Sequence, residues 1–417
     1  MDDVYIIGSY STAFGKYPDK SYQDIAHEAV IGALGDAGLG KGAPFTQAFF
    51  GNTTMHVEGQ TMIRGQVAML PLVDQGWLPE RMPVTNVEGA CATGSLALNS
   101  ALKDILSGYS ELTLAVGAEK LVYPDDPGSG MREIAGGLDN LDRDRWHEEY
   151  RKIAEATGAQ WDPAGGRSVA MDTYAIQAAL HMKLYGTTQE QIAAAAAKNH
   201  NYGVLNPKAQ YRFTMTVDDV LKDRPISGPL TRAMCAPIGD GAAAAVLCSA
   251  DYLKTLPAEV QARAIRIAAS ATSGGMFRAP DEPSLTRIAA DRAYEMAGIG
   301  PQDIALAEVH DATSFCEVYQ MEMMRFCPDG DGGAFVASGA TGPGGRLPVN
   351  TSGGLVSKGH PIAATGLSMT YEVVTQLRGE ACERQVDGAR FGLIENGGGV
   401  IGLEEAVCAV TILERTN

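Results

Sequence analysis

"AVIGALGDAGLG" at residues 29–40 and "AADRAYEMAGIG" at 289–300 share one pattern of small apolar residues closed by glycine, 260 positions apart. Each has helical spacing, and each runs into an apolar strand, "AFFGNTT" (48–54) in one half and "LAEVHDAT" (306–313) in the other. The order keeps repeating. "GACATGSLALNSAL" (89–102) matches in kind "GHPIAATGLSMTYEV" (359–373), and "GDGAAAAVL" (239–247) matches "ENGGGVIGL" (395–403). Two α/β repeats imply an internal duplication about a pseudo-twofold axis. Such an axis sets corresponding strand ends side by side and turns the helix N-termini of both halves toward one cleft. Ligands of open α/β sheets bind outside the carboxyl ends of the strands, so function is expected there.

Outward from the repeat, the first third alternates strand and helix: "VYIIGSY" (4–10), a helix over 22–37 with Ile25, Ala29 and Ala33 on one face, then strands at 45–52 and 111–119. The texture changes near Tyr123. "DDPGSG" and the charged run "DNLDRDRWHEEYRK" (139–152) precede helical segments to about Asn201, which reads as an inserted loop domain. The expected division is an N-terminal half over 1–122 plus 226–260, a loop domain over 123–225 and a C-terminal half over 261–417, opening on the strand "RAIRIAASATS" (263–273).

Composition excludes several function classes. A chain of 417 residues, 45% hydrophobic and 20% charged, is ordinary globular material with a large core. No apolar run approaches a membrane span, and the acidic start "MDDVYIIGSY" lacks the form of a signal peptide. A net charge of −17 argues against nucleic acid and anionic membranes, which demand a basic footprint. Seven scattered cysteines suit a reducing cytoplasm. With no C-x-x-C or H-E-x-x-H, no resident metal is expected. "GGGVIG" (397–402) satisfies G-x-G-x-x-G, yet a strand pattern rather than a helix follows it and only 15 residues remain, so a dinucleotide site is rejected.

Three reactive side chains occupy equivalent turns. Cys91 stands where the β-branched run "MPVTN" (82–86) gives way to Leu98, Leu102, Ile105 and Leu106 at helical spacing. A helix N-terminus there favours the thiolate, against the alternative of a small buried apolar cysteine. His310 ends the strand "IALAEVH" (304–310), and His360 precedes Pro361, which suits a first helical position. A helix N-terminus holds histidine neutral, able to take a proton from a thiol; the alternative for either histidine alone is a cap or a packed polar residue. Together they describe a nucleophile with its bases. Arg143, Arg145, Arg151 and Lys152 either meet a phosphate or line a solvated helix face.

In "VEGACATGS", "HNYGVLNPKAQYR", "ISGPLTRAMCAPIGDGAAAAVL", "EVHDAT", "NTSGGLVSKGHPIAATG" and "ENGGGVIG", in that order, the chain resembles the thiolases, above all the sterol-carrier-protein type and its bacterial and archaeal relatives. The resemblance implies a five-layered αβαβα duplication with a loop domain, usually dimeric or a dimer of dimers. It implies Cys91 as the acyl-accepting nucleophile, His360 as its base and His310 as a holder of the thioester oxygen. The backbone N–H groups of Cys91 and Gly397 are the implied oxyanion hole. Coenzyme A is the implied co-substrate and a 3-oxoacyl-CoA the substrate, cleaved by a ping-pong route. Some relatives work beside a small zinc-ribbon, OB-fold protein, and an aromatic substrate, as in benzoylsuccinyl-CoA thiolases, is one variant. The alternatives are Claisen condensation or C-acyl transfer on the same fold, and a catalytically silent acyl-CoA-binding subunit.

One departure stands out. Thiolases supply a second cysteine just after the H-D pair or in C-x-G-G-G, and here those places hold Ala312 and Glu395. Cys316 lies about one and a half turns past Ala312 and should point elsewhere. Glu395, its charged form disfavoured by an apolar enclosure, is the expected acid at the substrate α-carbon, with simple bonding to the loop as the alternative.

Overall fold

The computed structural model describes residues 3–163 and 168–416. Its strands are β1 (Val4–Ser11), β2 (Gln47–Gly51), β3 (Val84–Val87), β4 (Leu112–Glu119), β5 (Pro225–Ser227), β6 (Leu230–Thr231), β7 (Gly241–Ser249), β8 (Ile265–Gly274), β9 (Ile304–Val309), β10 (Phe391–Gly398) and β11 (Val407–Arg415). The longer strands form one run in the order β3-β2-β4-β7-β1-β8-β11-β10-β9. Its two halves meet only where β1 touches β8, at Tyr5 opposite Arg266 and Ile6 opposite Ile265.

The duplication appears strand by strand. β1, β7, β4 and β2 correspond to β8, β11, β10 and β9, with the same sequence of antiparallel, antiparallel and parallel pairings. β3 runs parallel to β2, and Val349 bridges Ala307 of β9 in the matching place.

Helices are α1 (Tyr22–Asp36), α2 (Arg64–Asp74), α3 (Thr93–Leu106), α4 (Ser129–Ile134), α5 (Arg143–Thr157), α6 (Val169–Tyr185), α7 (Gln189–Leu205), α8 (Val217–Lys222), α9 (Ala250–Lys254), α10 (Ala258–Arg263), α11 (Leu285–Ala297), α12 (Ser314–Met323), α13 (Gly332–Ala337), α14 (Gly354–Lys358) and α15 (Thr365–Leu377). None is long and apolar enough to cross a membrane. α1 starts on a capping box, in which Ser21 Oγ accepts the Asp24 N–H while Asp24 accepts that of Ser21. Its expected face, Ile25, Ala29 and Ala33, is fully buried. α1 and α2 cover the outer face of the first half-sheet, and α11 and α12 that of the second. Between the half-sheets lie α3 and α15, whose Leu98, Leu102, Leu367 and Val373 share one core with Ile6, Ala245 and Leu413. These are the five layers, and the fold is α/β as expected.

Between β4 and β7 the insertion gathers around Tyr174, Ile192 and Phe315. Leu230, Ala233 and Met234, from the segment expected with the N-terminal half, belong to the same cluster, as do Ala312 and Cys316 of the C-terminal half.

The central layer is tight because glycines admit backbone to backbone. A Cβ on Gly117, in the middle of β4, would come within 2.1 Å of the Ala363 carbonyl oxygen, and one on Gly94 of α3 within 2.8 Å of the same atom. Gly117→Ala is therefore expected to destabilise the chain by about 1–3 kcal/mol through overpacking. Gly35→Ala, at a position of α1 whose Cβ would meet nothing within 4 Å, is expected to stabilise it by roughly 0.5–1 kcal/mol. Urea unfolding of the two variants checks both signs.

Candidate active site

β3 leaves the sheet at Val87 and the chain turns into a 3-10 segment, Ala90–Ala92, before α3 begins at Thr93. Ala90 has φ 49°, a left-handed conformation that is strained for a residue with a Cβ. The Gly89 N–H bonds Thr93 Oγ1 at 2.9 Å and closes the turn. These constraints present Cys91 half-buried with its sulfur inward, against His360.

His360 follows α14 and Gly359, whose φ of 106° only glycine adopts freely. Its Nδ1 meets Thr365 Oγ1 at 2.7 Å. That hydroxyl donates to the Pro361 carbonyl, so it accepts the Nδ1–H, and the Nε2 lone pair is left facing Cys91 Sγ at 3.2 Å. His310 closes the group. Its ring lies 5.2 Å from that of His360, and the three donor atoms of Cys91, His310 and His360 fall within 4.8 Å of one another. His310 is fully buried with no hydrogen-bond partner on either ring nitrogen. A buried polar group left in that state is costly and is what an incoming acceptor or donor would satisfy.

Burial sets the charge state of all three. It lowers His310 to about 4. His360 is held well below its ordinary value, first by burial and then by His310 and Lys358. The Cys91 thiol is pushed up to about 12, by burial and then by the charge of Glu405, while the Gly399 and Cys91 N–H dipoles oppose the rise. Loss of water thus opposes the thiolate that a helix N-terminus would favour. A short 3-10 turn, rather than the α3 terminus itself, carries Cys91, and the dipole is outweighed by loss of water. The same loss of water favours the neutral forms of the thiol and the imidazole.

The amides directed at the sulfur are those of Cys91 and Gly399. Gly397, expected to share the oxyanion hole, lies two residues earlier in the ladder opposite Cys408. The Glu405 carboxyl covers its open face, 2.9 Å from where a Cβ would stand.

Glu395 is brought beside His310 but not into the cleft. Its Oε2 accepts the His310 backbone N–H at 3.0 Å, and Oε1 lies 3.4 Å from Cys408 Sγ. Its proton is retained as expected: burial and then Glu405 push the carboxyl up to about 8. Cys316 points into the insertion's core, near Thr313 Oγ1. Of the basic residues singled out in α5, Arg151 bonds Glu148 and Glu155, Lys152 pairs with Glu148, Arg143 bonds Asn140, and Arg145 stacks on Phe277.

Three acidic residues that sequence reasoning passed over support the site. Glu119, at the end of β4, accepts hydroxyl and backbone protons from Thr53 and Thr54 and the Ala363 N–H at 3.2 Å, tying down the turn after His360. Asp311 accepts the Leu355 N–H at 2.6 Å and Asn199 Nδ2 at 2.8 Å, joining the His310 turn to α14 and α7. Glu405, raised by burial to about 7, is the largest charge acting on Cys91. An acid closing a wholly apolar strand, as in "LTLAVGAE" (112–119), is a signal that could have pointed to Glu119.

From Cys91 and His360 a cavity of about 270 Å³ opens outward. Its apolar walls include Leu121, Ile238 and Val400, with Ile134, Leu138 and Met171 from the insertion. His56, Glu88 and Glu133 stand among its polar lining residues, and no lysine or arginine lines it among the described residues.

Comparison with known proteins agrees with this geometry. Residues 4–218 match the thiolase N-terminal domain and 282–414 the thiolase C-terminal domain-like family. The acetyl-CoA acetyltransferase of Methanothermobacter thermautotrophicus is 37% identical over 407 residues, 96% of this chain and 98% of that protein. Sterol carrier protein 2 of Oryctolagus cuniculus is 34% identical over 94% of this chain and 69% of its own length. The solved Ltp2-ChsH2(DUF35) aldolase superposes with a TM-score of 0.76 at 22% identity, covering 100% of this chain and 99% of its own, and shares the fold. The chain belongs to the thiolase family of acyltransferases and carries both of its domains.

Proposed function

We propose that the chain cleaves a 3-oxoacyl-CoA with free coenzyme A, and that its acyl group is uncharged and bulkier than acetyl. The observation that carries the chemistry is the Cys91 sulfur 3.2 Å from the unprotonated nitrogen of His360. As the sulfur attacks the 3-oxo carbon, His360 Nε2 takes the thiol proton, so charge separates only in the transition state. The N–H groups of Cys91 and Gly399 face the oxygen that becomes negative. The bond between C2 and C3 then breaks, its electron pair passing to the thioester enolate, whose oxygen meets the unpartnered His310 ring. His360 gives the proton it took from the thiol to C2, which releases the shortened acyl-CoA and leaves the imidazole neutral. Coenzyme A then passes its thiol proton to His360 and attacks the Cys91 thioester, and the departing Cys91 sulfur takes that proton back.

The cavity supports the acyl preference. An apolar void of about 150 Å³ accommodates benzene, and this one is larger and offers no cation for a carboxylate. The M. thermautotrophicus relative is named for acetyl-CoA, and the acyl preference proposed here differs from that name. A homodimer is favoured by β3, an edge strand with Thr85 and Asn86 exposed, near exposed Met62, Ile63 and Leu70. The Ltp2 structure includes ChsH2(DUF35), and a zinc-ribbon, OB-fold subunit is the second partner proposed here. Free cysteines throughout suit a reducing cytoplasm. Glu395 becomes a positioning residue for His310 rather than the acid at C2.

Brief incubation with a panel of 3-oxoacyl-CoA esters is expected to leave an acyl adduct on Cys91 in peptide mass spectra. kcat/KM should be at least about tenfold higher for a medium-chain or aryl ester than for acetoacetyl-CoA, since each added buried methylene is worth roughly 0.8 kcal/mol. An adduct on another cysteine would sink the mechanism, and a preference for acetoacetyl-CoA the acyl assignment.

His360→Ala should slow Cys91 acylation by about 10²–10⁴, the usual worth of a general base. His310→Ala should spare iodoacetamide alkylation of Cys91 while cutting carbon–carbon cleavage by about 10²–10³. Equal effects of both substitutions on alkylation would merge roles that are kept separate here.

Because Glu395 rises from 4.5 to about 8 on folding, the unfolded chain gives up this proton first. The folded state binds more protons across that window, and stability falls as pH rises through it. Glu395→Gln is expected to flatten the decline of Tm between about pH 5 and pH 8 by at least a few degrees, and to preserve deuterium exchange at C2 of a product acyl-CoA. Exchange abolished in this variant would return Glu395 to the acid's role.

A further inference from the structure

We propose that the Cys91, His310 and His360 cluster is also a reversible Zn²⁺ site, in which the metal takes the cysteine sulfur, one nitrogen of each imidazole and a water from the cavity, and so withholds the nucleophile. Among the described residues this is the group of histidine, cysteine and acidic side chains whose donor atoms converge for a metal. Zinc bonds of about 2.3 Å to sulfur and 2.0–2.1 Å to nitrogen set tetrahedral ligand atoms roughly 3.5 Å apart. The sulfur and His360 Nε2 already stand at 3.2 Å, and all three donors lie within 4.8 Å. Side-chain adjustments of about an ångström complete the geometry.

Three independent features favour a metal over a mere coincidence of side chains. His310 is fully buried with both ring nitrogens unpartnered, so coordination gives one of them the partner that the chain does not supply. His360 gives its Nδ1–H to Thr365 Oγ1, which fixes the lone pair on Nε2 toward the sulfur; such orienting bonds are what metal-bound histidines use. The cavity ends on Cys91 and His360, leaving the fourth position open to water, as in zinc sites with three protein ligands. Binding forms a zinc–sulfur bond and breaks the S–H bond, and the proton passes to solvent. The soft thiolate and imidazole set selects against Mg²⁺. That zinc stops turnover rests on Cys91 being the acyl acceptor; zinc binding itself does not.

The test uses the full-length chain, stripped of metal and kept reduced with a phosphine. Micromolar ZnCl₂ is expected to slow iodoacetamide alkylation of Cys91 by at least about tenfold in peptide mass spectra, with Cys382 unaffected, MgCl₂ without effect and EDTA restoring the rate. Competition with a zinc indicator should give one equivalent fewer for Cys91→Ser and for His310→Ala than for the unsubstituted chain. Unprotected Cys91, or full zinc uptake by Cys91→Ser, overturns the site. An acyl adduct on Cys91 without zinc protection removes the metal site alone; zinc protection without any acyl adduct removes the thiolase mechanism and leaves the site standing.

Discussion

The contact between Cys91 Sγ and His360 Nε2 at 3.2 Å joins two turns that the internal duplication makes equivalent. Each turn precedes one helix of the central pair, Cys91 before α3 and His360 before α15. The contact therefore exists only if the two half-sheets are held in register and the two helices pack closely. Register comes from the short β1–β8 junction and the shared apolar core. Closeness comes from Gly94 and Gly117, which let the Ala363 backbone approach where a methyl group would collide with it. Glu119 then anchors Ala363, and Asp311 anchors α14 from the other side.

Removal from water governs the electrostatics of the cleft. The dipole at a helix end contributes about 0.3–1 kcal/mol, up to roughly 2, whereas burial is the largest influence on the Cys91 thiol and pushes it up to about 12. Burial wins, and both histidines follow it toward neutrality. A neutral pair is poised to separate charge only when an electrophile arrives. The buried carboxyl of Glu405, itself raised by burial to about 7, adds to the pressure against charge on Cys91.

Much of this was legible in the chain because duplication writes the same pattern twice. The pair of helix motifs 260 positions apart became α1 and α11, whereas the two glycine-rich stretches fell at β7 and at the end of β10, which are not equivalent: β7 answers to β11 and β10 to β4. Cys91 and both histidines were found because strand, turn and helix each leave a local mark. Ala90's left-handed backbone, the Gly399 amide in place of Gly397, and the ties through Glu119 and Asp311 left none. They depend on segments hundreds of residues apart in sequence meeting in space. Glu395 lies beside His310, yet its two oxygens turn to the His310 amide and Cys408 rather than to the cavity, a choice made by side-chain torsions that no motif encodes.

The charge state of the Cys91–His360 pair is the claim on which the chemistry turns, and it is directly measurable. Thiolate absorbance in the ultraviolet, taken as the difference between the unsubstituted chain and Cys91→Ser across a pH titration, isolates this one sulfur. The account predicts no thiolate signal from Cys91 at neutral pH, with absorbance growing only as the pH approaches about 12. A thiolate already present at neutral pH, lost on His360→Ala, would contradict it and establish an imidazolium–thiolate ion pair in its place.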